Sequence, residues 1–232
     1  MKTIAVIVAG GSGKRMGHDH SKQYLMLGGI PIIVHTLRAF EKASLVHDIV
    51  LVVPGHDIDY VKFSIVEQYS VSKVAHIVAG GDKRQDSVRN GLKAVSDDCR
   101  VVVIHDGVRP FVSEKLINIS VQKALETGAV TIGVPVKDTV KSVTDDGIIR
   151  ETLDRQELWL TQTPQAFTRE IIQEAYRRAY EDSFYGTDEA ALVERMNVPV
   201  VMVNGSYENI KITTPEDLAL GEFILKLRGI IT

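Results

Sequence analysis

The chain has 232 residues, of which 44% are hydrophobic and 25% are charged, as in an ordinary globular protein. This length is enough for one large domain with a substantial core. The net charge of −3 gives no reason to expect a nucleic-acid partner. It does not exclude a small anionic substrate, because local charge decides how such a substrate binds.

The first apolar run, Ile4 to Ala9, predicts a buried strand rather than a signal sequence, because it is short and is followed at once by glycines and cations. No other apolar run is long enough to span a bilayer. The single cysteine, Cys99, cannot form an internal disulfide, which favours a reducing compartment. We therefore expect a cytoplasmic protein that does not contact a membrane.

Short runs rich in valine and isoleucine predict the strands of a parallel sheet. They barely alternate between apolar and polar residues, which is typical of strands that are covered on both faces. In chain order, the predicted strands are Ile4–Ala9, Ile49–Val53, His76–Ala79, Val101–Ile104, Ala129–Val134 and Val200–Val203.

The segments between these runs predict helices, including Ile32–Lys42, Ser113–Glu126 and Arg169–Glu181. The last helix has a clear start, because Thr214 can cap it and Pro215 suits its first position. Strands that alternate with helices in this way predict an α/β fold with a doubly wound, mostly parallel, Rossmann-like sheet.

The segment at about 137–155 interrupts the alternation of strands and helices. Two β-prone runs, 139–143 and 148–152, flank the turn signal Asp145-Asp146-Gly147, which predicts a protruding β-hairpin arm. An arm on an α/β core often serves association between subunits. No internal repeat or linker divides the chain, so we expect a single domain over residues 1–232 that carries this arm.

The loop after the first strand predicts a phosphate-binding site. It contains Gly10, Gly11 and Gly13, whose backbone N–H groups can turn toward one point and bind phosphate oxygens. Arg15 and Lys22 lie in the same stretch and can neutralise a triphosphate and the charge that develops during its transfer. The alternative is an ordinary glycine turn between a strand and a helix.

Two familiar glycine motifs fit this loop poorly. The P-loop requires Ser or Thr after its Gly-Lys pair, whereas Arg15 stands at that position here. The dinucleotide fingerprint requires a third glycine or alanine, which is Met16 in this chain, and an acidic residue after the second strand, where Pro54 follows Val53.

Two further strand ends carry candidate ligands. Asp106 follows the strand Val101–Ile104 and can hold a metal, since Mg²⁺ needs only one or two carboxylates besides substrate phosphates. The alternative for Asp106 is a turn-forming role. Gly81, Asp82 and Ser87 open a predicted helix and could contact a base or ribose; the alternative is a capped glycine turn.

Polar groups also collect late in the chain, where Arg155, Thr163, Thr187 and Lys211 could together bind a sugar phosphate. Each has a structural alternative, such as helix capping for Thr187. The chain has no Ser-His-Asp or Cys-His arrangement, and phosphoryl-type transfer does not require one, because an anionic phosphate is already a nucleophile.

With these segments in hand, the chain resembles the 2-C-methyl-D-erythritol 4-phosphate cytidylyltransferases over nearly its whole length. The resemblance rests on the ordered motifs AGGSGKRMG with SKQY, GGDKRQDSV, HDGVRP, PVKDTVK, TLDRQELWLTQTPQAF, TDEAALVE and NIKITTPEDL. It implies a reaction of CTP with a sugar-alcohol phosphate, 2-C-methyl-D-erythritol 4-phosphate, in the non-mevalonate route to isoprenoid precursors.

The resemblance also implies a role for each matching residue. Arg15 and Lys22 are expected to stabilise the transition state, and Asp106 to bind Mg²⁺ or another divalent cation. Residues expected around CTP are Ala9, Gly10, Gly11, Ser12, Gly13, Gly81, Asp82 and Ser87. Residues expected to handle the sugar phosphate are Arg109, Thr139, Arg155, Thr163, Thr187 and Lys211.

In the family, a similar arm exchanges between two subunits, which implies a homodimer in which Arg155 and Thr163 act on the partner's site. One departure is Val108, where alanine is usual, and it leaves Asp106 and Arg109 intact. A ribitol 5-phosphate cytidylyltransferase is the closest alternative, although the motifs RQDSV and TLDRQELW favour the methylerythritol enzyme. A non-catalytic, nucleotide-binding regulatory protein is the alternative from another class.

Overall fold

The computed structural model describes residues 2–11 and 22–231. Its centre is a seven-stranded sheet, in which each strand is parallel to its neighbours except β10, which is antiparallel to both β6 and β7. In spatial order the strands are β11 (Val201–Asn204), β7 (Ala129–Pro135), β10 (Trp159–Thr168), β6 (Cys99–Asp106), β1 (Lys2–Val8), β4 (Asp48–Val53) and β5 (Val74–Ala79).

The helices connect these strands and cover both faces of the sheet. They are α1 (Ile32–Lys42), α2 (Ile58–Tyr60), α3 (Arg84–Lys93), α4 (Glu114–Thr127), α5 (Arg169–Glu181), α6 (Glu189–Glu194) and α7 (Pro215–Leu227). A π-helical segment, Val61–Glu67, continues α2, and three short 3-10 turns are Lys22–Tyr24, Gly55–Asp57 and Arg155–Glu157. Two antiparallel pairs lie outside the main sheet: β2 (Met26–Leu27) with β3 (Ile30–Pro31), and β8 (Lys141–Val143) with β9 (Ile149–Thr152).

Successive strand residues point to opposite faces and so build two separate cores. On β1, Ala5 and Ile7 pack into the core that α1 and α4 cover, whereas Ile4 and Val6 pack into the core beneath α3, α5 and α6. Burial on both faces explains why the strands appear in the sequence as continuous apolar runs. The predicted strands and the predicted α/β fold class are confirmed.

The helix ends also follow the sequence signals. Ser113 accepts a hydrogen bond from the Leu116 backbone at the start of α4. Thr214 and Asp217 form a reciprocal capping box at the start of α7, where Pro215 takes the first helical position. Among residues 2–11 and 22–231, no helix combines the length and the apolar character that a membrane span requires.

Strand β10 was not predicted from the sequence, because this stretch is polar and contains Pro164. A proline removes one hydrogen-bond donor and normally argues against a central strand. Here the register shifts between Gln162 and Gln165, and this irregularity accommodates the proline. The buried amide of Gln165 is satisfied, since its Nε2 donates to Thr131 Oγ1 at 2.9 Å.

The predicted hairpin arm is confirmed. Strands β8 and β9 pair in antiparallel fashion, and Gly147 turns the chain between them with a φ of +84°. Three apolar side chains of the arm, Val143, Ile148 and Ile149, are each more than half exposed.

Candidate active site

The first of two neighbouring clefts lies at the carboxyl ends of β1, β5 and β6 and has a volume of about 480 Å³. Strand β1 is paired with β4 on one side and with β6 on the other, so this edge is a topological switch point, where α/β sheets bind ligands. The cleft is lined by seven residues for which the sequence predicted a role in binding the nucleotide or in catalysis: Ala9, Gly10, Gly11, Lys22, Gly81, Asp82 and Ser87. Ser12, Gly13 and Arg15 lie outside the described residues.

Two glycine loops approach each other closely in the first cleft. A Cβ atom added to Gly80 would lie 2.9 Å from Ser87 Oγ, and one added to Gly10 would lie 3.3 Å from the same atom. Ser87 Oγ accepts a hydrogen bond from the Gly81 backbone at 3.1 Å and donates one to the Lys83 carbonyl at 3.1 Å. The Ser87 hydroxyl is therefore already hydrogen-bonded to the loop before α3, and the loop after β1 packs closely against it.

The second cleft, of about 280 Å³, collects residues that the sequence predicted for the sugar phosphate. Arg109, Thr163, Thr187 and Lys211 all line it. Thr187 does not cap α6, because the adjacent Asp188 accepts the capping hydrogen bond from Ala191 at 3.0 Å. The two clefts share three charged residues, Arg84, Asp106 and Lys211, which we call the junction.

Asp106 lies at the centre of the junction, and its carboxylate is almost fully buried. Its Oδ1 is 3.0 Å from Arg84 Nε, and its Oδ2 is 2.8 Å from Lys211 Nζ and 3.6 Å from Arg109 Nε. Burial by itself would raise the pKa of Asp106, but the charges of Arg84, Lys211 and Arg109 outweigh burial and hold this pKa well below its usual range. The carboxylate is therefore ionised at neutral pH.

Strand β10 brings Thr163 beside Asp106 of the same chain, because β10 pairs with β6. His105 is fully buried, which lowers its pKa to about 3 and keeps the imidazole neutral. Its Nε2 lies 3.2 Å from the Arg109 carbonyl, which can only accept, so Nδ1 accepts from the Thr163 hydroxyl at 3.0 Å. That hydroxyl also accepts from the Asp106 backbone at 3.1 Å. In contrast to the expectation from the resemblance, Thr163 lies in the cleft of its own chain.

The segment that carries Lys211 is anchored on both sides of this residue. Asn209 donates from Nδ2 to the Thr163 carbonyl at 2.9 Å, and its own carbonyl accepts from Arg109 Nη1 at 2.9 Å. The Ile212 backbone donates to the Val108 carbonyl at 2.9 Å. The Val108 side chain packs into an apolar cluster that includes Ile212, so the additional bulk of this valine is accommodated.

Arg84 and Glu189 belong to the site, although the sequence analysis gave neither of them a role. Arg84 Nη1 lies 2.8 Å from Oε1 of Glu189, which is only 1% exposed. The two residues are 105 positions apart in the sequence. Both occur in motifs that carried the resemblance, GGDKRQDSV and TDEAALVE, but no local pattern shows that the two side chains meet.

Thr139 and Arg155 lie apart from both clefts. Both are exposed at the base of the arm, and neither lines the first or the second cleft. Arg155 Nη1 donates to the Lys137 carbonyl at 2.7 Å, which ties the two ends of the arm together. Their predicted contact with the sugar phosphate stays a prediction.

The junction offers one carboxylate, that of Asp106, to a divalent cation. Among residues 2–11 and 22–231, no group of three His, Cys, Asp or Glu side chains is placed to hold a metal. Mg²⁺ often uses only one or two carboxylates and takes its other ligands from substrate phosphates and water. Asp106 is ionised and opens onto both clefts, so it is the residue that could hold such a cation, and its oxygens contact Arg84 and Lys211 in this structure.

Comparisons with known proteins agree over nearly the whole chain. A family model for 2-C-methyl-D-erythritol 4-phosphate cytidylyltransferase matches residues 3–227. A curated relative of that name from Syntrophus aciditrophicus is 53% identical over 225 residues, which cover 97% of this chain and 96% of the relative. Another from Pelotomaculum thermopropionicum is 51% identical over 227 residues, which cover 98% of this chain and 95% of the relative.

Solved structures show the same agreement in three dimensions. The crystal structure of 4-diphosphocytidyl-2C-methyl-D-erythritol synthase from Anaerococcus prevotii matches with a TM-score of 0.87 and 34% sequence identity. The match covers 97% of this chain and 96% of that one. The chain therefore belongs to the 2-C-methyl-D-erythritol 4-phosphate cytidylyltransferase family.

Proposed function

We propose that the chain transfers a cytidylyl group from CTP to 2-C-methyl-D-erythritol 4-phosphate, which gives 4-diphosphocytidyl-2-C-methyl-D-erythritol and diphosphate. This activity is that of its family, and the relatives that are half identical to the chain carry its name. The observation that carries the proposal is the pair of clefts that meet at Arg84, Asp106 and Lys211. A reaction between two substrates requires two binding spaces that open onto one point.

The first cleft suits the nucleotide. The loops at Gly10–Gly11 and Gly81–Asp82 present backbone to a cavity that is large enough for phosphates and a base. Lys22 lies on the wall of this cleft and provides a positive charge where negative charge develops on the α-phosphate. Arg15, which lies outside the described residues, has the same proposed role.

The second cleft suits the sugar phosphate, because it combines the cations Arg109 and Lys211 with the hydroxyl-bearing residues Thr163 and Thr187. In the reaction, a phosphate oxygen of this substrate forms a bond to the α-phosphorus of CTP. The bond from that phosphorus to the bridging oxygen breaks, and diphosphate leaves with the electron pair. The nucleophile is already an anion, so the step needs positioning and neutralisation of charge rather than a protein base.

We infer that Asp106 holds a divalent cation, with Mg²⁺ as the expected ion. Such a cation, when bound, neutralises phosphate charge during the transfer. Lys211 lies 2.8 Å from Asp106 Oδ2 and lines the second cleft, so it can bind the incoming phosphate.

We also infer a homodimer that forms through the arm. The exposed apolar side chains Val143, Ile148 and Ile149 support this proposal, because an isolated two-stranded hairpin has little core of its own. Exchange of the arm would carry Thr139 and Arg155 to the second cleft of the partner. The cytoplasmic location stays a prediction.

The direct test supplies CTP and Mg²⁺ together with one sugar phosphate at a time and measures the release of diphosphate. We expect release with 2-C-methyl-D-erythritol 4-phosphate and none with ribitol 5-phosphate. Turnover with ribitol 5-phosphate alone would replace the proposed substrate. Binding of CTP without any turnover would favour a regulatory, nucleotide-binding protein instead.

A further inference from the structure

Arg84 has no role in the reaction as proposed so far, yet its side chain lines both clefts. Its Nε donates to Asp106 Oδ1 at 3.0 Å. Its Nη1 lies 2.8 Å and 3.0 Å from the two carboxylate oxygens of Glu189, and its Nη2 donates to Oε2 at 3.0 Å. One guanidinium therefore bridges two carboxylates, and each of its three nitrogens has a carboxylate partner.

Hydrogen bonds to its side chain and to its backbone also hold Glu189 in place. Tyr176 donates from its hydroxyl to Glu189 Oε1 at 3.0 Å. The Glu189 and Ala190 backbone N–H groups both donate to Gln165 Oε1 at 3.1 Å. The carboxylate of Glu189 is thus held by Arg84 and Tyr176, and its backbone is held by Gln165, so the guanidinium that Glu189 binds has little freedom to move.

The ion pair also joins two loops that line different clefts. Arg84 is the first residue of α3 and follows the loop Gly81–Lys83, which lines the first cleft. Glu189 is the first residue of α6 and follows Thr187 and Asp188, which line the second cleft. The geometry of the junction thus depends on both loops together.

We propose that Arg84, held in place by Glu189, is a positioning residue for the transfer reaction. It fixes Asp106 through Oδ1, and this leaves Oδ2 oriented toward Lys211, 2.8 Å away. Arg84 acts through Asp106 rather than by binding a substrate, because its nitrogens are already engaged with Glu189 and Asp106. This inference rests on the proposed function and extends it.

The Arg84→Lys variant tests the role of the bridge. Lysine keeps the positive charge, but its single nitrogen cannot bond both carboxylates in the same geometry. We expect kcat to fall by about 10- to 50-fold, with the Kd for CTP and the KM for the sugar phosphate within about threefold of wild type. The matched control is Arg89→Lys on the same helix, an exposed arginine that stacks on Tyr180, and we expect it to leave kcat unchanged.

A double-mutant cycle with Asp106→Asn distinguishes positioning from a general structural effect. If Arg84 acts through Asp106, Arg84→Lys should cost less than about threefold in kcat once Asp106 is already changed. Single-turnover measurements of diphosphate release give access to the slow variants. An equal loss in both backgrounds would overturn the inference, and so would a loss confined to the Kd for CTP.

Tyr176→Phe provides a second test that does not depend on the folding of the Arg84 variant. It removes one hydroxyl that supports Glu189, and we expect kcat to fall by about two- to fivefold at unchanged KM. An unchanged kcat would contradict the proposed support. If the wild-type chain released no diphosphate from CTP, the proposed function would fail, and this inference would fail with it. If the wild-type chain is active but the effects of Arg84→Lys and Asp106→Asn on kcat are additive, only the inference is overturned.

Discussion

The junction and the arm differ in whether their side chains are buried against other residues of the same chain. At the junction, the carboxylate of Asp106 is buried, and three cations lie within 3.6 Å of it. On the arm, apolar residues such as Val143 and Ile149 are exposed, and Arg155 lies outside both clefts. The chain completes the junction by itself, whereas the arm presents a surface that a second copy of the chain would cover.

The largest expected effect is on kcat, and it distinguishes a lysine of the first cleft from a lysine of the arm. We expect Lys22→Ala to lower kcat by about 10²-fold, or about 3 kcal/mol of transition-state stabilisation, because Lys22 lines the first cleft, where the proposed reaction would develop negative charge on the nucleotide phosphates. Lys141→Ala, on strand β8 of the arm, should leave kcat near the wild-type value. The release of diphosphate measures both variants, and an undiminished rate for Lys22→Ala would contradict the catalytic assignment.

The second expected effect is on the free energy of unfolding, and it compares a buried carboxylate with an exposed one. We expect Glu189→Gln to lower the free energy of unfolding by about 3 kcal/mol, because it removes the charge of a buried carboxylate from its ion pair with Arg84. Glu151→Gln replaces an exposed carboxylate on β9 and should leave this free energy unchanged. Urea titrations followed by circular dichroism give both values. Equal stabilities for the two variants would mean that solvent and Asp106 together stabilise the charge of Arg84 without Glu189.

The third effect tests the apolar surface of the arm. We expect Ile149→Ser to raise the dimer dissociation constant by about tenfold, because a side chain buried in the interface would lose its apolar contact. Leu227→Ser is the control, since Leu227 is also exposed and apolar but lies at the end of α7, away from the arm. Sedimentation velocity over a range of concentrations compares the two variants. If Leu227→Ser weakened the dimer more than Ile149→Ser, the interface would lie at α7 instead.

The same contrast explains how much of the molecule the sequence could predict. Strands such as β1 and β6 were predictable because both of their faces are buried in apolar cores. The hairpin was predictable because its turn residues act locally. Strand β10 was missed because its burial depends on polar partners such as Thr131, which belong to distant parts of the chain.

The candidate site divides in a similar way. Residues of the glycine loops and Asp106 could be predicted, because they follow recognisable strands. The bridge from Arg84 to Glu189 could not, since neither local spacing nor composition encodes a contact over 105 positions. The environment of Thr163 was equally hidden, because it depends on the insertion of β10 next to β6.

The fourth effect is the smallest, and it decides which cleft the arm serves. Lys22→Ala and Arg155→Ala subunits can be co-expressed with different tags and the hybrid dimer purified. If the arm reaches the partner, one site of the hybrid combines an intact Lys22 with an intact Arg155, and we expect about half of the wild-type activity. If the arm serves its own chain, each site lacks one of the two residues, and the hybrid should be no more active than the homodimeric variants. Recovery of activity in the hybrid would therefore assign Arg155 to the neighbouring subunit's cleft, because no arrangement within one chain restores both residues to one site.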